Sequence, residues 1–186
     1  MSLIYIWLIA YAAPALVAGT TVKLLPPSKA KSSKRNAVIM HIALAVSVLL
    51  SQYFIYTNGV AFPWYPDSVS IIAYIVGVAV AMNVLGWMGF WYSLSALLQQ
   101  MAILSIAFLL FSAYPLWFVV FLIVPLYAWC HALQVNHWRT RTFLFLLWGV
   151  ASIFLFSISQ NLYLIAALHT LFGSLLISRS LLYPEM

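Results

Sequence analysis

Long apolar runs constrain this chain more than any other feature of its sequence. Most of them approach the ~20 residues that a helix needs to cross a lipid bilayer. They cover residues 3–22, 36–56, 69–91, 93–113, 115–133, 143–159 and 162–179. Only 5% of the residues are charged, against about 25% in soluble domains. The sequence therefore predicts an all-α, polytopic membrane bundle with about seven transmembrane helices, within a range of six to eight.

The basic residues predict the orientation of this bundle, because short cytoplasmic loops of membrane proteins are rich in Lys and Arg. Five of the eight basic residues fall in the segment 23–35, which we expect to be a cytoplasmic loop touching anionic lipid. Counting helices from there also puts Arg139, Arg141 and Arg179 on the cytoplasmic side. We expect the N-terminus outside, the C-terminus inside and the protein in the plasma (inner) membrane. The net charge of +6 thus predicts contact with membrane lipid and does not indicate binding to nucleic acid.

The N-terminal run has no basic residue before it, so we expect a first transmembrane helix rather than a cleaved signal peptide. The single cysteine, Cys130, excludes an internal disulfide and a cysteine-rich metal site.

Polar residues within the apolar runs are the candidates for a functional site, because polar groups in lipid face other helices or a cavity. Gln99 and Gln100 stand together in "SALLQQMAILS", and His131 and His169 lie in later runs. At ~1.5 Å per residue, Gln99 and His169 should lie at similar depth and His131 nearer the cytoplasmic surface. We expect the three helices to bring these side chains together in the cytoplasmic half of the bundle.

Two further polar residues lie in earlier runs. Asn83, in "AMNVLGWMGFW", is a candidate binding residue because the nearby glycines allow close helix approach. His41 is expected to make a polar contact between helices. His137, in "QVNHWRTRT", is expected in a solvated loop.

Three separated motifs resemble those of the type II CAAX protease family, the CPBP (Abi) group of intramembrane peptidases. The family carries Glu-Glu-x-x-x-Arg, then Phe-x-x-x-His, then His-x-x-x-Asn. In this chain "QQMAIL" begins at Gln99, "YAWCH" runs from Tyr127 to His131, and "HTLFG" runs from His169 to Gly173. The resemblance covers 93–180 and implies a CPBP-like core at 93–186, preceded by transmembrane helices and the basic loop at 1–92.

The departures from the motifs remove the groups on which the family's chemistry depends. The resemblance implies catalytic positions at Gln99, Gln100, His131 and His169, where the two glutamines replace the glutamates that activate water. An amide cannot accept a proton near neutral pH, so it is no general base. Leu104 replaces the arginine, and Gly173 the asparagine. Tyr127 and Gly173 remain as candidate binding positions.

These observations favour a catalytically impaired pseudoenzyme that binds a hydrophobic or lipidated peptide, or a partner in a membrane complex. Two alternatives remain open. One is an active intramembrane protease, with zinc held by two or three histidines. The other is a haem-binding or structural subunit that uses His41, His131 or His169 as axial ligands. No cofactor and no metal ligand set is assigned from the residues themselves.

Overall fold

The computed structural model describes residues 2–24, 31–59, 67–132 and 138–179, and every regular element in these ranges is a helix. The first helix, α1, consists of the consecutive segments Leu3–Trp7, Leu8–Ala12 (a π-helical turn) and Ala13–Leu24. The others are α2 (Lys31–Thr57), α3 (Ser68–Leu85), α4 (Trp87–Phe111), α5 (Leu116–Ala132), α6 (Trp138–Ser159) and α7 (Leu162–Ser178). The prediction of an all-α bundle with about seven helices is confirmed.

The helices have the length and surface of a membrane bundle. Five segments are long and apolar enough to cross a bilayer: Leu3–Val22, Val38–Thr57, Ser68–Leu85, Trp87–Phe111 and Thr142–Ser159. Leu116–His131 and Leu162–Ser178 are shorter apolar helices. Large apolar side chains point outward, as at Val69, which is 76% exposed. Such a surface suits hydrocarbon and not water, so the chain forms a helical bundle of an integral membrane protein.

Helix α4 lies at the centre of the bundle and contacts each of the other six helices. Its small buried residues, including Ser93, Ala96 and Ala102, let neighbouring backbones approach closely, as is common in membranes. The two glutamines of "SALLQQMAILS" lie near the middle of this helix. Side chains from several helices can therefore reach them.

A single residue, Gly86, separates α3 from α4. Its φ of 61° and ψ of −146° are accessible to glycine and strained for other residues. The two helices then pack so closely that a Cβ on Gly89 would overlap the Ala81 carbonyl. The predicted break near Trp91 is therefore wrong: the chain turns five residues earlier, where glycine permits it.

The start of α3 is joined to the start of α7. Asp67 Oδ1 accepts from the Ser70 N–H at 2.7 Å, and Asn161 Oδ1 accepts from the Leu164 N–H at 3.0 Å, so each residue caps its own helix. The Asn161 amide also donates to Asp67 Oδ2 at 2.9 Å. The two helices thus run in the same direction.

Charged positions separate along the bundle axis. Helices α2 and α4 run parallel, joined by His41 Nε2 to Ser95 Oγ and by Gln52 Nε2 to Ser105 Oγ, both at 2.8 Å. Helix α6 runs in the same direction as α4, since Phe145 packs against His131, the partner of Gln99, and Phe156 packs against Phe108. The starts of α2, α4 and α6 therefore lie at the same end as the ends of α3 and α7. The described basic positions beyond α1 lie at this end: Lys31, Lys34, Arg35, Arg139, Arg141 and Arg179. Asp67 lies at the opposite end, which is the separation that the predicted orientation requires.

Candidate functional site

The first glutamine of the pair reaches α5. Nε2 of His131 lies 3.2 Å from Gln99 Oε1, and its Nδ1 lies 3.0 Å from the Tyr127 carbonyl oxygen, one turn earlier. The Tyr127 ring packs against the imidazole with a centroid distance of 4.2 Å. His131, which the sequence predicted nearer the cytoplasmic surface, is thus within hydrogen-bonding distance of Gln99 near the middle of α4.

The second glutamine reaches α7. Gln100 Nε2 lies 2.8 Å from His169 Nδ1. Since an amide nitrogen only donates, Nδ1 accepts, and the proton of a neutral imidazole lies on Nε2. Gln100 is 0% exposed and His169 7%. Within the described ranges, Gln100 Oε1 is buried without a hydrogen-bond partner.

Helix α6 covers both histidines with aromatic rings. Phe145 lies 4.7 Å from the His131 ring, and Trp148, three residues later on the same face, lies 5.4 Å from the His169 ring. Tyr92 of α4 approaches His169 edge-on at 6.2 Å. The Trp148 indole nitrogen is buried, and among the described residues it has no hydrogen-bond partner. Amides and aromatic rings thus surround both imidazoles, of which His169 is buried and His131 half-buried.

A third polar link extends the cluster to α2. Gln99 Nε2 donates to Ser95 Oγ at 3.4 Å, and Ser95 Oγ lies 2.8 Å from His41 Nε2. The expectation that His41 makes a polar contact between helices is confirmed. Sequence reasoning missed Ser95, although its position four residues before Gln99 puts it on the same helix face. It also missed Phe145 and Trp148, since an aromatic residue within an apolar run carries no signal of its own.

The remaining motif positions are filled by apolar packing. A Cβ on Gly173 would overlap the Tyr92 hydroxyl, so the side chain of α4 occupies the space that an asparagine would need. Leu104 is 0% exposed and belongs to the apolar core. Asn83 is exposed near the end of α3, and no hydrogen bond among the described residues joins it to the cluster. His137 lies outside the described residues.

The donor set of the cluster limits its chemistry. Nowhere in the described ranges do three His, Cys, Asp or Glu side chains come together as metal ligands. The groups beside His131 and His169 are amides, which cannot take a proton from water near neutral pH. His41 and His131 each have a ring nitrogen engaged by Ser95 or Gln99, which disfavours their use as axial haem ligands. The Gln100–His169 pair suits neutral hydrogen bonding, whereas a neutral His131, with one N–H, can donate either to the Tyr127 carbonyl oxygen or to Gln99 Oε1.

Comparisons of the chain with protein-family models, with curated proteins and with solved structures found no match.

Proposed function

We propose that this protein is a catalytically impaired membrane protein of the CPBP type that binds a hydrophobic or lipidated peptide, or a peptide segment of a membrane partner. One observation carries the proposal: the three motif positions, on α4, α5 and α7, meet in one cluster inside the bundle, where Gln100 and His169 are buried and Gln99 and His131 half-buried. Gln99 pairs with His131 at 3.2 Å and Gln100 pairs with His169 at 2.8 Å. The family resemblance implies a glutamate at each glutamine position.

The loss of cleavage follows from the chemistry of the amide. Peptide hydrolysis needs a group that takes a proton from water as the water attacks. Gln99 and Gln100 keep the shape and hydrogen-bonding capacity of glutamates without that basicity. Each amide also engages one histidine, and Tyr92 fills the space above Gly173. We therefore expect no peptidase activity.

Peptide binding is supported by two unpaired groups beside His169. Gln100 Oε1 is an acceptor and Trp148 Nε1–H is a donor, and neither has a partner among the described residues. A peptide group offers the complement, an N–H and a C=O. A buried polar group without a partner costs about 1–3 kcal/mol, and a ligand that pairs both would recover part of this cost. Reaching them requires α6 to move, and its contacts with α4 and α7 are sparse compared with those to α5.

Peptidase activity is tested with the purified full chain in nanodiscs and fluorogenic peptides, both apolar and prenylated. The expected result is no turnover above that of empty discs. Turnover that disappears in His131→Ala and in His169→Ala would contradict catalytic impairment and would require a base outside the cluster.

Binding is tested with the same peptides carrying a fluorophore, by anisotropy. Gln100→Leu and Trp148→Phe should each raise the dissociation constant about five- to tenfold, since each removes one hydrogen bond worth about 1 kcal/mol. Asn83→Leu, a polar-to-apolar change away from the cluster, is the matched control and should leave binding unchanged. Absence of binding by the unaltered protein, or equal binding by all variants, would contradict the proposal.

A further inference from the structure

A groove opens at the end of the bundle that carries Asp67, between the C-terminal ends of α4 and α6. Its volume is about 240 Å³. Its walls are mainly apolar and its rim is polar; the lining residues are Phe108, Leu109, Phe111, Ser112, Phe156, Ser157 and Gln160. It lies about half the length of α4 away from the Gln–His cluster and shares no residue with it.

The walls of the groove are aromatic. Phe108 packs edge-on against Phe156, with ring centroids 6.4 Å apart and an interplanar angle of 71°. Phe156 is fully buried as the floor, whereas Phe108 and Phe111 are partly exposed. The face of an aromatic ring is electronegative and attracts cations, quaternary ammonium groups in particular. The partly exposed rings of Phe108 and Phe111 therefore favour a cationic headgroup over an anionic one.

The electrostatics around the rim also favour a cation. Helices α4 and α6 both end at the groove, and the C-terminal end of a helix carries partial negative charge. Asp67, the one acidic residue in the described ranges, is held by Asn161, the neighbour of Gln160 in the chain, at 2.9 Å. The described basic positions beyond α1 lie at the opposite end of the bundle. A positive group at the groove thus meets attraction, and no Lys or Arg position of the described residues beyond α1 lies at that end to compete with it.

The rim offers acceptor oxygens. The hydroxyls of Ser112 and Ser157 donate to the carbonyls of Leu109 and Phe154, both at 2.7 Å, so their oxygen lone pairs remain as acceptors. Gln160 has a φ of 48°, a left-handed conformation that strains residues other than glycine. Glycine would adopt this backbone conformation without strain, whereas the glutamine found here adds an amide to the rim of the groove.

We propose that this groove binds the ammonium headgroup of a zwitterionic membrane lipid. The volume is below the range of about 300–1,000 Å³ typical of drug-sized ligand pockets, so it suits a headgroup and leaves the acyl chains outside, along the apolar helix surface. This site does not depend on the proposed function of the Gln–His cluster.

The test uses the purified full chain in a neutral detergent, titrated with short-chain phosphatidylcholine, phosphatidylethanolamine or phosphatidylglycerol, with free choline as a fourth arm. The thermal unfolding midpoint is followed as a function of ligand concentration. The two zwitterionic lipids should raise the midpoint saturably, because a ligand that binds the folded state stabilises it. Phosphatidylglycerol, which lacks the ammonium group, should have little effect.

Two variants test the residues that carry the argument. Gln160→Gly removes the rim amide and relieves the backbone strain, so it should weaken lipid binding about fivefold or more without lowering the midpoint of the ligand-free protein. Asp67→Asn keeps a good helix cap and removes the charge, and it should also weaken binding. Trp117→Ala, which removes an exposed aromatic residue at the same end outside the groove, is the matched control.

Three results would overturn the proposal. Equal stabilisation by phosphatidylglycerol would show that the site does not recognise the ammonium group. Undiminished binding in Gln160→Gly and Asp67→Asn would place the lipid elsewhere. Free choline that binds as tightly as the lipids would show that the ligand is a soluble ammonium compound instead of a lipid.

Discussion

A glutamine side chain can present either its oxygen or its NH₂ group to an imidazole. Gln99 presents its oxygen to His131 and Gln100 its NH₂ group to His169, so both contacts form without a carboxylate. Each amide pairs with one histidine, and the pairs join α4 to α5 and to α7. A glutamate pair at these positions would put carboxylates into hydrocarbon, at a cost of about 2.5–3.5 kcal/mol per charged residue on insertion scales. Neutral pairs keep the helix contacts and avoid that cost.

The strength of one such pair can be measured with a double-mutant cycle on Gln100→Leu and His169→Leu. We expect a coupling free energy of about 0.6 kcal/mol, with ~1.7 kcal/mol as an upper bound, as for other hydrogen bonds between membrane helices. The measurement is reversible unfolding in mixed micelles. Asn83→Leu combined with His169→Leu is the control and should be additive. Additivity in the Gln100–His169 cycle itself would show that the bond contributes nothing to stability.

Restoring the carboxylates tests whether the cluster can regain the family's chemistry. The double variant Gln99→Glu, Gln100→Glu should lower the unfolding midpoint, since it buries acidic groups without a cation. Adding Leu104→Arg should recover part of that loss through charge pairing. Neither variant should cleave peptide, because Tyr92 still covers Gly173. Cleavage by the double variant in the fluorogenic assay would show that the acids alone are sufficient.

At the scale of helices, the α3–α4 hairpin shows what the sequence can and cannot predict. The long apolar runs predicted both helices, because length and composition identify a span. The turn at Gly86 was missed, since a lone glycine within an apolar run is common inside membrane helices. The exposed placement of Asn83 was missed for a related reason. These helices are apolar on all sides, so no polar stripe shows which face meets protein and which meets lipid.

The prediction of a shared site depended on a different signal. Gln99, His131 and His169 are polar residues at compatible depths on separate helices, and the structure brings their side chains together. Their depth could be counted along the chain, whereas the aromatic cover from Phe145 and Trp148 depends on how α6 rotates about its axis. Rotation is set by side-chain packing, which no single run of residues specifies.

Two glycines on this hairpin provide a matched test of close packing. Gly89→Ala should destabilise the protein by about 1–3 kcal/mol, the usual cost of overpacking, because its Cβ would overlap the rigid Ala81 carbonyl. Gly77→Ala should be far milder, since its Cβ would lie 3.4 Å from the Ala167 carbonyl oxygen, an ordinary contact. The free energies of unfolding of the two variants decide this. A loss in Gly89→Ala as small as that expected for Gly77→Ala would mean that α3 and α4 can separate enough to admit the methyl group at little cost.

On the scale of the whole molecule, the segregation of charge predicts how the bundle sits in the membrane. In a Cys130→Ala background, single cysteines at Ser2 and at Arg179 should label differently in intact cells. We expect an impermeant maleimide to label Ser2→Cys from outside and Arg179→Cys only after permeabilisation. The reverse pattern would invert the orientation and place the groove near Gln160 on the cytoplasmic side.

The packing of α3 between α4 and α7 has a consequence for synthesis. The main partners of α3 are α4 and α7, and α7 is synthesised after all the other described helices. After insertion, α3 and α4 can associate at once through their one-residue turn, but the other face of α3 stays in contact with lipid or with an insertion factor until α7 has been inserted. Truncation before α7 should therefore leave a stable hairpin with an open side, a form that membrane quality control can recognise and degrade.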